Sequence, residues 1–241
     1  MKTTLYLALD GMSPDRAFNI VRKTAHLLDG LKLNDLWDTQ WNYPYLLKGL
    51  RDAWNKNPKT KGSVRALNLW ADLKFHDTPG TVANRALQAR LAGIDTATVH
   101  AQGGRKMIEA AVEYGPPRIF AVTLLTSLDD DDLPPGVNIQ DEALRLAILA
   151  KSAGAHGVVC SAKEVGVLSQ NPALDGMLFA VPGIRLPGDT EARGQVRMGS
   201  PDQAARDGAN ILVLGSTVTK AEDPIRNLQK VLNLVESQTA T

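Results

Sequence analysis

Apolar positions along the chain change period repeatedly. Short β-rich runs alternate with stretches in which apolar residues recur every three or four positions, the pattern of a parallel sheet wrapped by helices. The strand-like runs are residues 5–9, 30–33, 67–73, 96–100, 119–125, 157–160, 178–181 and 211–214. Between the first two, Ala17, Ile20, Val21, Thr24, Ala25 and Leu28 form one helical stripe, with Ser13 as N-cap and Pro14 in the first turn. Later stripes are Val82, Ala83, Ala86, Leu87 and Arg90, then Ala143, Leu144, Ala147, Ile148 and Lys151, and lastly Ile225, Leu228, Val231, Leu232 and Val235. Eight βα units in 241 residues predict a single α/β domain over residues 1–241, a (β/α)8 or TIM barrel. A doubly wound sheet usually has fewer strands.

Two connections are long for such a fold. Residues 35–65 form an insertion carrying Trp37, Trp41, Tyr43, Tyr45 and Trp54, then a basic run over 55–61; Leu46, Leu47 and Leu50 fit a helix within it. Residues 183–200 hold Gly183, Gly188, Gly194 and Gly199 with Arg185, Arg193 and Arg197, which reads as a mobile lid facing an anion.

Composition narrows the classes. With 27 Lys and Arg against 26 Asp and Glu, the net charge of +1 gives no general pull toward nucleic acid or an anionic membrane. The mixed aromatic and basic residues of the insertion suit a packed lid or interface better than single-stranded nucleic acid. No apolar run approaches the ~20 residues of a membrane span. One cysteine, Cys160, cannot form an internal disulfide, and the first residues run into a strand without a signal-like apolar stretch, so a cytoplasmic location is expected.

The densest chemistry is Asp72-Leu73-Lys74-Phe75-His76-Asp77 at the end of the third strand. Strand alternation puts Asp72 and Lys74 on one face, with Leu73 on the other. Alone, Asp-x-Lys suits a structural ion pair at a barrel rim as well as a site. Lys32 ends the second strand and Asp10 follows the first, so four charges converge where burial is costly without a use. Barrel chemistry sits at such strand ends. The run Asp129 to Asp132 lacks the spacing of a calcium loop and reads as solvated. His26 and His156 have no metal-ligand spacing, and His76 and His100 suit either hydrogen bonding behind the site or packing at the rim.

These residues resemble the orotidine 5′-phosphate decarboxylase family. The likeness continues through Val99-His100-Ala101-Gln102-Gly103-Gly104, Ala121-Val122-Thr123-Leu124-Leu125-Thr126-Ser127, Gly157-Val158-Val159-Cys160-Ser161 and Val181-Pro182-Gly183-Ile184-Arg185. It implies cofactor-free and metal-free decarboxylation of orotidine 5′-monophosphate to UMP in pyrimidine biosynthesis, by a homodimer with shared sites. By the same resemblance Lys32, Asp72, Lys74 and Asp77 form the charged array. Asp72 would lie against the substrate carboxylate, Lys74 would counter and protonate the carbanion, and Lys32 would hold Asp72 and the ribose. Asp10 would bind a ribose hydroxyl, while Asp77 and Thr81 would reach the neighbouring subunit's substrate. Thr126 would contact the base, Pro182 the pocket wall, Gln195 both base and phosphate, and Arg185, Gly215 and Ser216 the phosphate.

The chain departs from the family pattern in three places. Thr78-Pro79-Gly80-Thr81 stands where Ile-Pro-Asn-Thr is usual, placing a polar Thr78 beside the carboxylate pocket. Gly215-Ser216 replaces Gly-Arg, so the phosphate grip is expected to be weak unless Arg185, Arg193 or Arg197 compensates. The stretch from Lys32 to Asp72 is longer than usual. Two alternatives follow: a magnesium-dependent sugar-phosphate decarboxylase or aldolase of the same superfamily, which would place a glutamate ligand where this chain has Lys32, and a non-catalytic nucleotide-binding relative.

Overall fold

The computed structural model describes residues 2–38, 43–57, 59, 66–189 and 197–238. Eight parallel strands close into a barrel in sequence order: β1 Thr4–Ala8, β2 Gly30–Leu33, β3 Asn68–Phe75, β4 Thr96–His100, β5 Arg118–Val122, β6 Gly157–Val159, β7 Leu178–Val181 and β8 Ile211–Leu214, with β8 pairing back onto β1. Helices run between them: α1 Pro14–Thr24, α2 Asp35–Asp38, α3 Tyr43–Asn55, α4 Pro79–Leu91, α5 Arg105–Tyr114, α6 Ile139–Ser152, α7 Val165–Ser169, α8 Pro201–Arg206, α9 Ser216–Thr219 and α10 Pro224–Glu236. Among the described residues no helix is long and apolar enough to cross a membrane.

Local signals account for many of the ends. Ser13 caps α1 by accepting the Arg16 amide, Asn138 caps α6 through Asp141, and Asp223 caps α10 through Arg226, each satisfying an otherwise unpaired amide. The helix expected inside the long insertion is α3. Leu46, Leu47, Leu50, Ala53 and Trp54 are buried, and α3 packs against α1. Trp41 and part of the basic run lie outside the described residues.

Strand alternation divides the core into two shells. Leu5, Leu7 and Leu9 join the shell between barrel and helices, whereas Tyr6, Ala8, Trp70, Phe120, Ala180, Ile211 and Val213 fill the barrel itself. Trp70 sits edge-on to Tyr6 and Phe120, with ring centroids at 6.0 and 5.3 Å, and its indole N–H donates to Thr98 Oγ1 at 2.6 Å. Gly30 makes room for this plug, since a Cβ there would come within 2.3 Å of the Tyr6 ring. Two residues further along β2 stands Lys32. The barrel is thus packed with aromatics up to the level at which the charged residues begin.

Four strands differ in their bounds from the sequence pattern: β1 starts and ends one residue earlier, β6 ends one residue earlier, and β3 and β5 differ by more. β3 runs on through Lys74 and Phe75, and β5 stops at Val122, so Thr123 and Leu124 are buried without belonging to a strand.

Candidate active site

The charged residues meet above the aromatic plug at the C-terminal end of the barrel. Lys32 Nζ lies 2.8 Å from Asp72 Oδ2 and 3.1 Å from Asp10 Oδ2, and Lys74 Nζ lies 2.8 Å from the same Asp72 oxygen. One carboxylate oxygen therefore accepts from two ammonium groups. Lys32 and Asp72 are buried, Lys74 is partly open and Asp10 stands at the exposed rim. Burial alone would raise the Asp72 pKa, but Lys32 and Lys74 outweigh it and hold the carboxyl below its usual range. Burial would likewise lower Lys32, yet Asp72 and Asp10 raise it above an ordinary lysine. Both members stay charged.

Plain alternation is not what brings Asp72 and Lys74 together. From Ala71 to Phe75 β3 advances against only the stretch from Ala97 to Val99 on β4, so the ladder is interrupted by a bulge. Inside it, Lys74 has φ 46°, the one positive φ among described non-glycine residues. The bulge aims both side chains into the same cleft.

That cleft has a volume of about 390 Å³. Its floor is Ala8, Trp70, Val122, Val159 and Val213; one side carries Asp10, Lys32, Asp72 and Lys74; Leu125 and Thr126 follow β5. After β7 and β8 it is lined by Pro182, Gly183, Arg185, Gly215 and Ser216, and then by Thr219 and Lys220. The structure so gathers Lys32, Asp72, Lys74, Asp10, Thr126, Pro182, Arg185, Gly215 and Ser216 around one space. Asp77 and Thr81 lie outside it. Both are exposed, Asp77 accepting from the Thr78 amide at 2.6 Å and Thr81 hydroxyl-bonded to Thr78 at 3.1 Å. Thr78, expected beside the carboxylate pocket, instead stands on this exposed outer surface at the start of α4. Gln195 and Arg193 fall outside the described residues.

Arg197 does not line the cleft, contrary to the expectation that its segment faces a bound anion. It is buried, bridges to Glu164 at 2.7 Å and donates to the Leu125 carbonyl at 2.6 Å. Glu164 in turn accepts the Ser161 amide at 3.1 Å, so the spacing Ser161-x-x-Glu164 was the signal that could have marked it. Lys220 was also missed; it lies one helical turn beyond Ser216. His76 and His100 stack at 5.5 Å behind the cleft rather than in its lining. Burial, then His76 and Lys74, lower the His100 pKa. The acidic run after β5 is a single turn closed by an Asp129–Asp132 capping box.

With this geometry in view, comparison with known proteins is specific. The orotidine 5′-phosphate decarboxylase / HUMPS family model matches residues 3–231. Orotidine 5′-phosphate decarboxylase of Sphingopyxis alaskensis is 39% identical over 232 residues, covering 93% of this chain and 95% of that protein. The enzyme of the same name from Idiomarina loihiensis is 34% identical over 240 residues, covering 96% and 97%. The crystal structure of orotidine 5′-phosphate decarboxylase from Lactobacillus acidophilus superposes with a TM-score of 0.76 at 29% identity, over 97% of this chain and 99% of the other. The fold, the charged cleft and these full-length matches lead to one assignment: the chain belongs to the orotidine 5′-phosphate decarboxylase / HUMPS family.

Proposed function

We propose that this protein is a carboxy-lyase that converts orotidine 5′-phosphate to UMP and carbon dioxide in pyrimidine biosynthesis, without a cofactor. The observation that carries the reading is the Asp72 oxygen shared by Lys32 and Lys74 at 2.8 Å each, beside an apolar cleft floor.

The chemistry follows from charge. Breaking the bond between ring carbon and carboxylate leaves the electron pair on carbon, and an ammonium fixed next to that carbon is most useful when the charge has developed. Lys74 fills that part and then gives its proton to the carbon, recovering one from water. Asp72 lies against the departing carboxylate and fixes Lys74 from behind. Lys32 locks Asp72 and, with Asp10, addresses the ribose. Thr126 contacts the base against Pro182, and Gln195 joins base to phosphate. Arg185, Gly215 and Ser216 receive the phosphate, with residues 183–200 closing over it as a lid. Asp77 and Thr81, exposed on a single chain, complete the site of a second copy, so the active unit is a homodimer. The lone cysteine suits a reducing compartment such as the cytoplasm.

The magnesium-dependent alternative asks for free carboxylates. Here both Asp10 and Asp72 are taken up by the Lys32 ammonium, whose positive charge would repel a cation at that spot. Incubation with orotidine 5′-phosphate in EDTA, followed by ultraviolet absorbance, tests the reading. UMP formation supports it; no reaction until magnesium is added, or none at all, overturns it.

A further inference from the structure

A nucleotide 5′-phosphate brings two negative charges to the end of the cleft remote from the reacting base. Four cations line that cleft: Lys32, Lys74, Arg185 and Lys220. Lys32 and Lys74 are both bonded to Asp72. Arg185 is buried, with one guanidinium nitrogen donating to the Ile184 carbonyl at 3.1 Å. Lys220 differs from all three: it is exposed, and among the described residues its ammonium makes no ion pair or hydrogen bond. Of the described acids lining its two clefts, Asp72 accepts from Lys32 and Lys74, Asp10 accepts from Lys32 at 3.1 Å and Asp189 accepts from the Thr217 hydroxyl at 3.3 Å.

Backbone geometry sets this charge beside Gly215 and Ser216 in the cleft lining. The Lys220 amide donates to the Ser216 carbonyl at 3.1 Å, so the two residues lie one turn apart, with Lys220 capping the C-terminal end of α9. Gly215 precedes them with open space around its missing Cβ. We propose that Lys220 is the cation that captures the substrate's 5′-phosphate, its flexible stem swinging over the site that Ser216 and Gly215 leave open. This deepens the proposed reaction and rests on it for the identity of the ligand. It also revises the expectation that Ser216 leaves the phosphate end poorly held: the charge sits one turn later. A lysine there is a mobile point charge in water, so the grip is screened by salt.

The test is calorimetric titration of the full-length protein with UMP and with uridine, at low and at high salt, for wild type, Lys220→Ala and Lys220→Arg. Loss of a charge-assisted contact should lower the UMP-to-uridine affinity ratio in Lys220→Ala by roughly tenfold or more. Lys220→Arg should restore most of it, and the salt dependence of UMP binding should flatten in Lys220→Ala. An unchanged ratio, or equal weakening of both ligands, overturns the proposal, as does a wild type that binds UMP no better than uridine. Binding does not depend on turnover. A protein showing the Lys220-dependent ratio but failing to decarboxylate orotidine 5′-phosphate would retain this phosphate site and lose the proposed reaction.

Discussion

Arg197 and Glu164 meet at 2.7 Å with 4% of each side chain exposed, a more deeply buried pair than Lys32 and Asp72 in the cleft. The contact ties the end of the 183–200 segment to the loop after β6. Through the Leu125 carbonyl at 2.6 Å, and a longer amide contact to the Thr126 carbonyl at 3.4 Å, it also holds the loop after β5, whose Leu125 and Thr126 line the cleft. Three loops that shape the site share one ionic anchor.

Breaking that anchor on one side should therefore be costly. Arg197→Met leaves Glu164 buried without its partner and should lower stability by about 3–5 kcal/mol in urea unfolding. Replacing both, with Arg197→Met and Glu164→Leu, should cost less than the single change. A single variant as stable as wild type would show that solvent or another cation reaches Glu164.

Lys74→Ala should remove decarboxylation while sparing the fold. Asp72 keeps its bond to Lys32 at 2.8 Å, so no buried carboxylate is orphaned. Loss of a preorganised charge at the developing carbanion should raise the barrier by ~3 kcal/mol or more, over a hundredfold in kcat. Circular dichroism and turnover measured together check both halves.

The Asp72–Lys32 pair should stabilise the protein across neutral pH and fade at both extremes. Because the Asp72 pKa is lowered on folding, its contribution is present above the usual carboxylate range and is lost as pH falls through the lowered value. Because the Lys32 pKa is raised, its contribution is present below the usual lysine range and is lost as pH rises through the raised value. Unfolding free energies of wild type and Asp72→Asn should differ by a constant amount near neutrality and converge in acid. A gap that widens on acidification would contradict this sign.

Mixing Lys74→Ala chains with Asp77→Ala chains should restore activity that neither has alone. In a mixed dimer one of the two sites has every residue intact, so random exchange should recover up to about a quarter of wild-type turnover. Native mass spectrometry verifies the exchange. Mixed dimers without activity would mean that Asp77 serves its own chain.

Much of the fold was legible because the barrel repeats one instruction, an apolar run followed by a helical stripe. The runs at 30–33, 96–100, 178–181 and 211–214 coincide with strands. The pattern departs from the structure where an apolar run and the ladder end at different residues. Thr123 and Leu124 are apolar-run residues that leave the sheet, whereas Lys74 remains in β3 although the apolar run has ended. The convergence of Asp10, Lys32, Asp72 and Lys74 could be anticipated from strand ends, but the bulge could not, since it depends on pairing with β4. Arg197 misled for a related reason: a glycine-rich, arginine-bearing segment looks anion-facing until its carboxylate partner, far away in sequence, is seen beside it.

At Lys74 the fold and the chemistry favour different residues. A φ of 46° costs an L-amino acid roughly 1–2 kcal/mol, a cost glycine escapes at some expense in unfolded-chain entropy. The same torsion points the ammonium at Asp72. A redesign judged only by melting temperature would be drawn toward glycine at this position, and the better it scored, the more completely it would have erased the ammonium that the proposed reaction needs.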